Sequence, residues 1–234
     1  MGRKTTIFIV EGPSDKAALE KIFKKIYKRN REIDFCFTNG DITSDPTVTV
    51  ANVENKIYEK IREVITDKKL TKSDVMQIVQ IFDMDGAYIP ESAIVKGTTY
   101  AFKYSTTNIS CTHPQRVVER NEKKKEILNY LLEQTTIKSF PYEMYFMSCN
   151  LDHALYNEIN LDKHLKQEYA DDFYEKFLGK EYLFPTFLES DVVNNVPDKM
   201  KDSWKYIKEG LHSLERHTNL NIYFKTHPKP DGLL

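Results

Sequence analysis

The chain has 234 residues, with 34 Lys and Arg against 35 Asp and Glu for a formal net charge of −1. That length buries a real core in one large or two small domains. The balanced charge excludes a global field drawing in nucleic acid or an anionic membrane, so any such partner would have to meet a local patch. Cys36, Cys111 and Cys149 lie far apart, without the CxxC spacing of zinc sites and in an odd number for disulfides, which points to a reducing, cytoplasmic compartment. The apolar run in MGRKTTIFIV is too short for a signal peptide, and no stretch reaches membrane-spanning length.

Taken in chain order, residues 6–10 form a continuous apolar run of the kind buried on both faces of a parallel sheet. Ala18, Leu19, Ile22, Phe23, Ile26 and Tyr27 then share one helical stripe, with Pro13 suited to the first turn and Asp15 facing the positive end of the helix dipole. Residues 33–37 read as a second strand. Val53, Ile57, Ile61, Val64 and Ile65 mark a second helix, and residues 75–82 a third strand. This alternation predicts an α/β fold with a mostly parallel sheet.

Beyond Gly86 the pattern loosens. Pro90, Gly97 and Pro114 break residues 87–114 into an expected long loop with a short strand near 101–104, which follows the third strand directly and should flank any cleft there. A charged helix is expected over 115–134, a fourth strand over 142–147, and mostly helix from Leu151 onward. A last long helix carries Met200, Trp204, Ile207, Leu211 and Leu214 on one stripe, for packing onto the domain or onto a partner helix in a homodimer.

The acidic residues carry the chemistry. Side chains at the carboxyl ends of parallel strands gather in one crevice, where ligands bind. Glu11 ends the first strand and Asp83 the third, with Asp85 two residues on and Gly86 permitting a tight turn. Clustered carboxylates repel unless something positive sits among them, and hard oxygen ligands of this kind suit Mg²⁺ or Mn²⁺. Any one of these acids alone reads as a helix cap or a solvated turn. The three together at strand ends read as a metal site.

The segments IFIVEGPSDKAAL and IFDMDG, in that order, resemble the Toprim domain, the metal-binding module of topoisomerases, bacterial-type primases and nucleases of the overcoming-lysogenization-defect class. SCNLDHALYNEI, residues 148–159, is similar to a later segment of small stand-alone Toprim proteins, in which an acid opens a helix after the fourth strand; Asp152 holds that position. The resemblance implies a Toprim-like Rossmannoid fold over residues 1–178, with a four-stranded mostly parallel sheet, an insertion at about 87–135, and a helical C-terminal extension over 179–234 packed on it. It implies Glu11 as metal ligand or general base, Asp83 and Asp85 as metal ligands, and Asp15 and Asp152 as supporting ligands. The long segment after Gly86 departs from the compact topoisomerase pattern, and nothing here supplies a topoisomerase's tyrosine or a primase's zinc module. Metal-dependent phosphodiester hydrolysis of DNA or RNA is therefore the implied activity. The resemblance adds a setting, phage defence by abortive infection beside an ATPase partner.

A nucleic-acid substrate calls for local cations. Lys96 and Lys103 after the DxD, Lys123 and Lys124 in ERNEKKKE, and the run KIFKKIYKRNR at 21–31 are the candidates, against the plainer reading of solvated helix faces. His153 beside Asp152 is a candidate for catalysis or for capping. Two other classes stay open. IFDMDGAYIPES also resembles the first motif of haloacid-dehalogenase phosphatases, although that motif belongs on a first strand and needs a later acidic pair, for which only Asp171 and Asp172 offer themselves, in helical sequence. A non-catalytic Toprim-like subunit that binds nucleic acid or an ATPase is the third.

Overall fold

Alternation of buried apolar runs with amphipathic stripes builds a three-layer α/β arrangement. The computed structural model describes residues 4–28 and 31–228. The first half runs β1 (Thr5–Val10), α1 (Pro13–Tyr27), β2 (Glu32–Phe37), α2 (Val53–Asp67) and β3 (Val75–Asp83). The middle contains β4 (Ile94–Lys96), β5 (Lys103–Tyr104), β6 (Ile109–Cys111), α3 (Pro114–Leu132), β7 (Thr136–Ile137) and β8 (Phe140–Ser148). The remainder is α4 (Leu151–Tyr156), α5 (Lys166–Phe177), α6 (Phe184–Phe187), α7 (Met200–Ile207), β9 (His217–Thr218) and α8 (Asn221–Thr226).

The main sheet has the order β2-β1-β3-β8, all neighbours parallel, with β7 and β9 antiparallel on the outer edge of β8. Every residue of β1 is buried, as expected of a strand covered on both faces. Alternation sorts its side chains into two cores. Phe8 and Val10 face α1, α5 and α8 with Phe23, Phe35, Phe184 and Tyr223. Ile7 and Ile9 face α2, α3 and Trp204. Among the described residues no helix is long and apolar enough to cross a membrane.

Residues 87–114 hold the short strand expected near 101–104, as β5, but are more ordered than the expected loop. Their strands pair as β4-β6-β5 in a second small sheet, whose Ile109 and Cys111 are fully buried against Val117 and Leu214. Strands as short as β4 and β6 leave too little periodicity to read. The expected last helix is also shorter. α7 stops at Ile207, and Gly210 turns left-handed at φ +55°. The stripe thereby divides: Trp204 and Ile207 enter the core beside Phe146, while Leu214 covers the small sheet. Trp204, Ile207 and Leu214 are thus used in packing inside the molecule. The last quarter of the chain is not only helical. β9 lengthens the main sheet, and Tyr223 of α8 packs edge-on against Phe8 and Tyr145. Residues 229–234 of the expected extension lie outside those described.

The turn after β3 is the tightest point of the fold. Asp85 and Gly86 take consecutive left-handed conformations, φ +50° and +67°, and Ala87 N–H donates to the Met84 carbonyl at 2.9 Å. An Asp-Gly pair is what such a turn selects. A Cβ on Gly86 would lie 2.6 Å from Leu214 Cδ2 and 2.8 Å from Ile109 Cδ1. Gly86→Ala is therefore expected to destabilise the protein by about 2 kcal/mol or more, from backbone strain and overpacking together. Urea unfolding checks this, and a variant as stable as the parent would show that the turn is looser than described.

Candidate metal centre

Three elements deliver carboxylates to one end of the sheet. β1 ends in Glu11, whose Oε1 accepts from the Asp83 backbone N–H at 3.2 Å, tying the tips of β1 and β3 together. Asp83 in turn accepts at Oδ1 from the Leu151 N–H at 2.8 Å, fixing the start of α4. The loop after β2 adds Asp41, absent from the sequence expectations. Its Oδ1 accepts from Thr43 N–H at 2.8 Å and from the Thr43 hydroxyl, and its Oδ2 accepts from the Ser44 hydroxyl. Oxygens of Glu11, Asp41 and Asp85 lie within 4.8 Å of one another, so this triad could hold a metal ion. Asp41 was in principle legible: DITS a few residues past a strand end is a side-chain-capped turn on the same carboxyl edge.

A lysine already stands among these acids. Lys124 of α3 is completely buried, with Nζ 2.8 Å from Asp41 Oδ2 and 2.8 Å from Asp85 Oδ2. Arg120, one turn earlier, comes within 3.8 Å of Asp85 Oδ2 and donates to its backbone carbonyl at 2.8 Å. Burial works against both charges of the Lys124 pair, but mutual attraction outweighs it. Asp41 is held down at about 2 by Lys124 and the two hydroxyls, and Lys124 is pushed well above its usual value by Asp41, Asp85 and Glu11. The pair is thus ionised throughout the physiological range. Lys124, expected as a substrate contact, is instead an internal counter-ion.

The other side of Glu11 opens to solvent. Glu11, Asp15 and Asp83 line a cleft of about 370 Å³ with Lys163, Lys166, Ser14 and Asn39. Asp15 closes the capping box of α1, accepting from Gly12 N–H at 2.8 Å; burial raises its carboxyl to about 6. Asp152, in the first turn of α4, pairs with Lys166 Nζ at 2.7 Å, and its buried Oδ1 has no hydrogen-bond partner. Burial, then the like charges of Asp41 and Glu11 respectively, push Glu11 and Asp83 well above the carboxylate range. All donors here are hard oxygens, their ionised forms repel, and a buried carboxylate oxygen is left unpaired. Hard oxygen donors of this kind suit a divalent cation, and the oxygens close enough together to share one are those of Glu11, Asp41 and Asp85.

Of the expected ligands, Glu11, Asp83 and Asp15 share the cleft, while Asp85 turns toward Lys124 and Asp41 on the far side of Glu11. None of Lys96, Lys103, Lys123 or Lys124 lines the cleft; Lys163 and Lys166, from the segment after α4, take that place. The basic run at 21–31 is also displaced. It lies at the far end of α1, which returns antiparallel to the strands, and there Lys24 pairs with Glu20 and Asp34 while Arg31 stacks on Tyr27; Arg29 and Asn30 lie outside the described residues. His153 is buried and structural: its backbone N–H is capped by Asn150, its Nδ1 accepts from Cys149 N–H at 3.0 Å, and burial lowers it to about 4. Comparison of the chain with family models, with curated proteins and with solved structures gives no match.

Lys124→Met leaves Asp41 and Asp85 buried without their cation. The expected loss is about 3–5 kcal/mol of stability, read by denaturant unfolding in EDTA. If the triad takes a divalent ion, millimolar Mg²⁺ should raise the melting temperature of this variant more than that of the parent chain. Equal shifts would place the ion elsewhere.

Proposed function

We propose that the protein is a metal-dependent phosphodiesterase acting on nucleic acid, a small Toprim-like nuclease. The observation that carries this reading is the Glu11–Asp83 hydrogen bond: it joins two strand ends that each bear a carboxylate, at the mouth of a cleft that also holds lysines. Glu11, Asp41 and Asp85 would hold the ion, with Asp83, Asp15 and Asp152 in support. Mg²⁺ or Mn²⁺ bound there would supply charge neutralisation at the scissile phosphate and a more acidic water.

The chain's own residues do the rest. Lys163 and Lys166 present ammonium groups to a phosphate entering the cleft. Glu11, at the mouth of the cleft, is placed to orient an attacking water and receive its proton. Asp83, by binding Leu151 N–H, holds α4 so that Asp152 and its partner Lys166 stay at the cleft edge. The ATPase partner and the role in phage defence implied by the resemblance belong to the same proposal.

One observation favours a second reading. Lys124 fills the space between Asp41 and Asp85, as a monovalent substitute for an ion would, which suits a subunit that binds nucleic acid without cutting it. The phosphatase alternative is weaker: Asp171 and Asp172 are exposed on α5 and supply no acidic pair at a strand end.

Glu11→Gln and Asp83→Asn each remove a charge and keep the shape. Each is expected to lower Mg²⁺-dependent cleavage of DNA or RNA at least about 100-fold and to leave the fold intact. Glu11→Gln should even be more stable in EDTA, because repulsion is relieved. A phosphatase would instead lose phosphomonoester hydrolysis on Asp83→Asn and keep it on Glu11→Gln. Parent protein that binds nucleic acid but never cuts it, with either metal, would decide for the non-catalytic subunit.

A further inference from the structure

The face of α3 that carries Lys124 continues toward solvent as a basic stripe. Arg116, Arg120 and Lys124 follow one another at intervals of four, one above the next on the helix. At 1.5 Å per residue the stripe covers about 12 Å. It starts in the open and ends between the acids of the crevice.

Aromatic rings from the small sheet and its approach are laid along the outer part of this stripe. The Arg116 guanidinium lies 3.8 Å from the centre of the Tyr100 ring and 5.1 Å from that of Phe102. Arg120 lies 5.3 Å from Phe102 and 5.9 Å from Tyr104. Both guanidiniums are oriented by hydrogen bonds, Arg116 to the Tyr100 carbonyl at 2.9 Å and Arg120 to the Tyr104 hydroxyl at 3.3 Å. Packing accounts for the inner members, which are largely buried. It does not account for Tyr100, which is 65% exposed although its ring lies against an arginine, or for the exposed Lys103 nearby in sequence.

We infer that Tyr100, Phe102 and Arg116 form a stacking platform for single-stranded nucleic acid at the outer end of α3. An exposed ring backed by a guanidinium offers a flat, electron-rich face beside positive charge, and unpaired bases with their phosphates complement both. A duplex keeps its bases stacked on each other and could use only the charge. The platform is fixed relative to the cleft. Asn160 accepts from Tyr104 N–H at 3.0 Å and donates to its carbonyl at 2.8 Å, tying the small sheet to the segment that supplies Lys163 and Lys166. The inference builds on the phosphodiesterase reading and narrows its substrate to single strands.

The test is binding in EDTA, which separates it from cleavage. Fluorescence anisotropy of the full chain is followed with a labelled 20-nucleotide oligo(dT), the matching oligo(U) and a duplex of equal length. Tyr100→Ala is expected to weaken single-strand binding about fivefold or more while leaving duplex binding and the melting temperature unchanged. Tyr100→Phe should restore it, and Arg116→Lys, which keeps charge but loses the flat guanidinium, should restore only part of the loss seen in Arg116→Ala. No binding by the parent chain, equal losses for single strand and duplex, or no loss in Tyr100→Ala would each overturn the platform. Binding that follows the platform pattern in a protein that never cleaves would overturn the phosphodiesterase reading alone.

Discussion

The acidic end of this sheet depends on one buried cation. Parallel strands deliver their carboxyl-terminal side chains to a common edge, so Glu11, Asp83, Asp85 and the neighbouring Asp41 are driven together whatever their charge. Removing ionised groups from water is worth several kcal/mol against folding for each, and mutual repulsion adds to it. The Lys124 ammonium, 2.8 Å from both Asp41 and Asp85, is what makes the arrangement tolerable without a metal. Because that lysine is on α3, the helix is locked against the β1–β3 tips by charge as well as by Ile127, Leu128 and Leu131.

Much else follows from that lock. The left-handed turn at Asp85 and Gly86 points the Asp85 carboxylate at α3, and Gly86 lets the Leu214 and Ile109 side chains close over it. Arg120 then binds the Asp85 carbonyl, and Asn121 donates to the Gly86 carbonyl at 3.0 Å, so the turn's exposed acceptors are satisfied by one helix. The small β4-β6-β5 sheet is held on the same helix through its aromatic rings. That insertion is thus packed on α3 beside the Asp85 turn, but none of its residues lines the open cleft that the sequence expectation had it flank.

Glu11 stands between two environments. On one side Asp41, Asp85 and Lys124 form a closed, nearly compensated group; on the other an open cleft holds Asp15, Asp83, Lys163 and Lys166. Its carboxyl is raised because it feels the burial and the like charges of both.

The main elements were readable because they are periodic: the largely apolar β1 and β3, the stripes of α1 and α2, and the parallel order they imply. Glu11 and Asp83 were readable as neighbours because strand ends in such a sheet converge. Strands β4 and β6 of the second sheet, the break at Gly210 and β9 left no periodic signal, since each is three residues or fewer, or a single left-handed residue. Which side each acid faces is not a local property either. Asp85 and Lys124 are 39 residues apart, and Lys166 follows a different strand altogether. The order of residues determined that carboxylates would gather at one edge of a parallel sheet; only the packing of α3 and α5 decided which of them meet a lysine and which face solvent, because burial and pairing depend on every element that arrives at that edge.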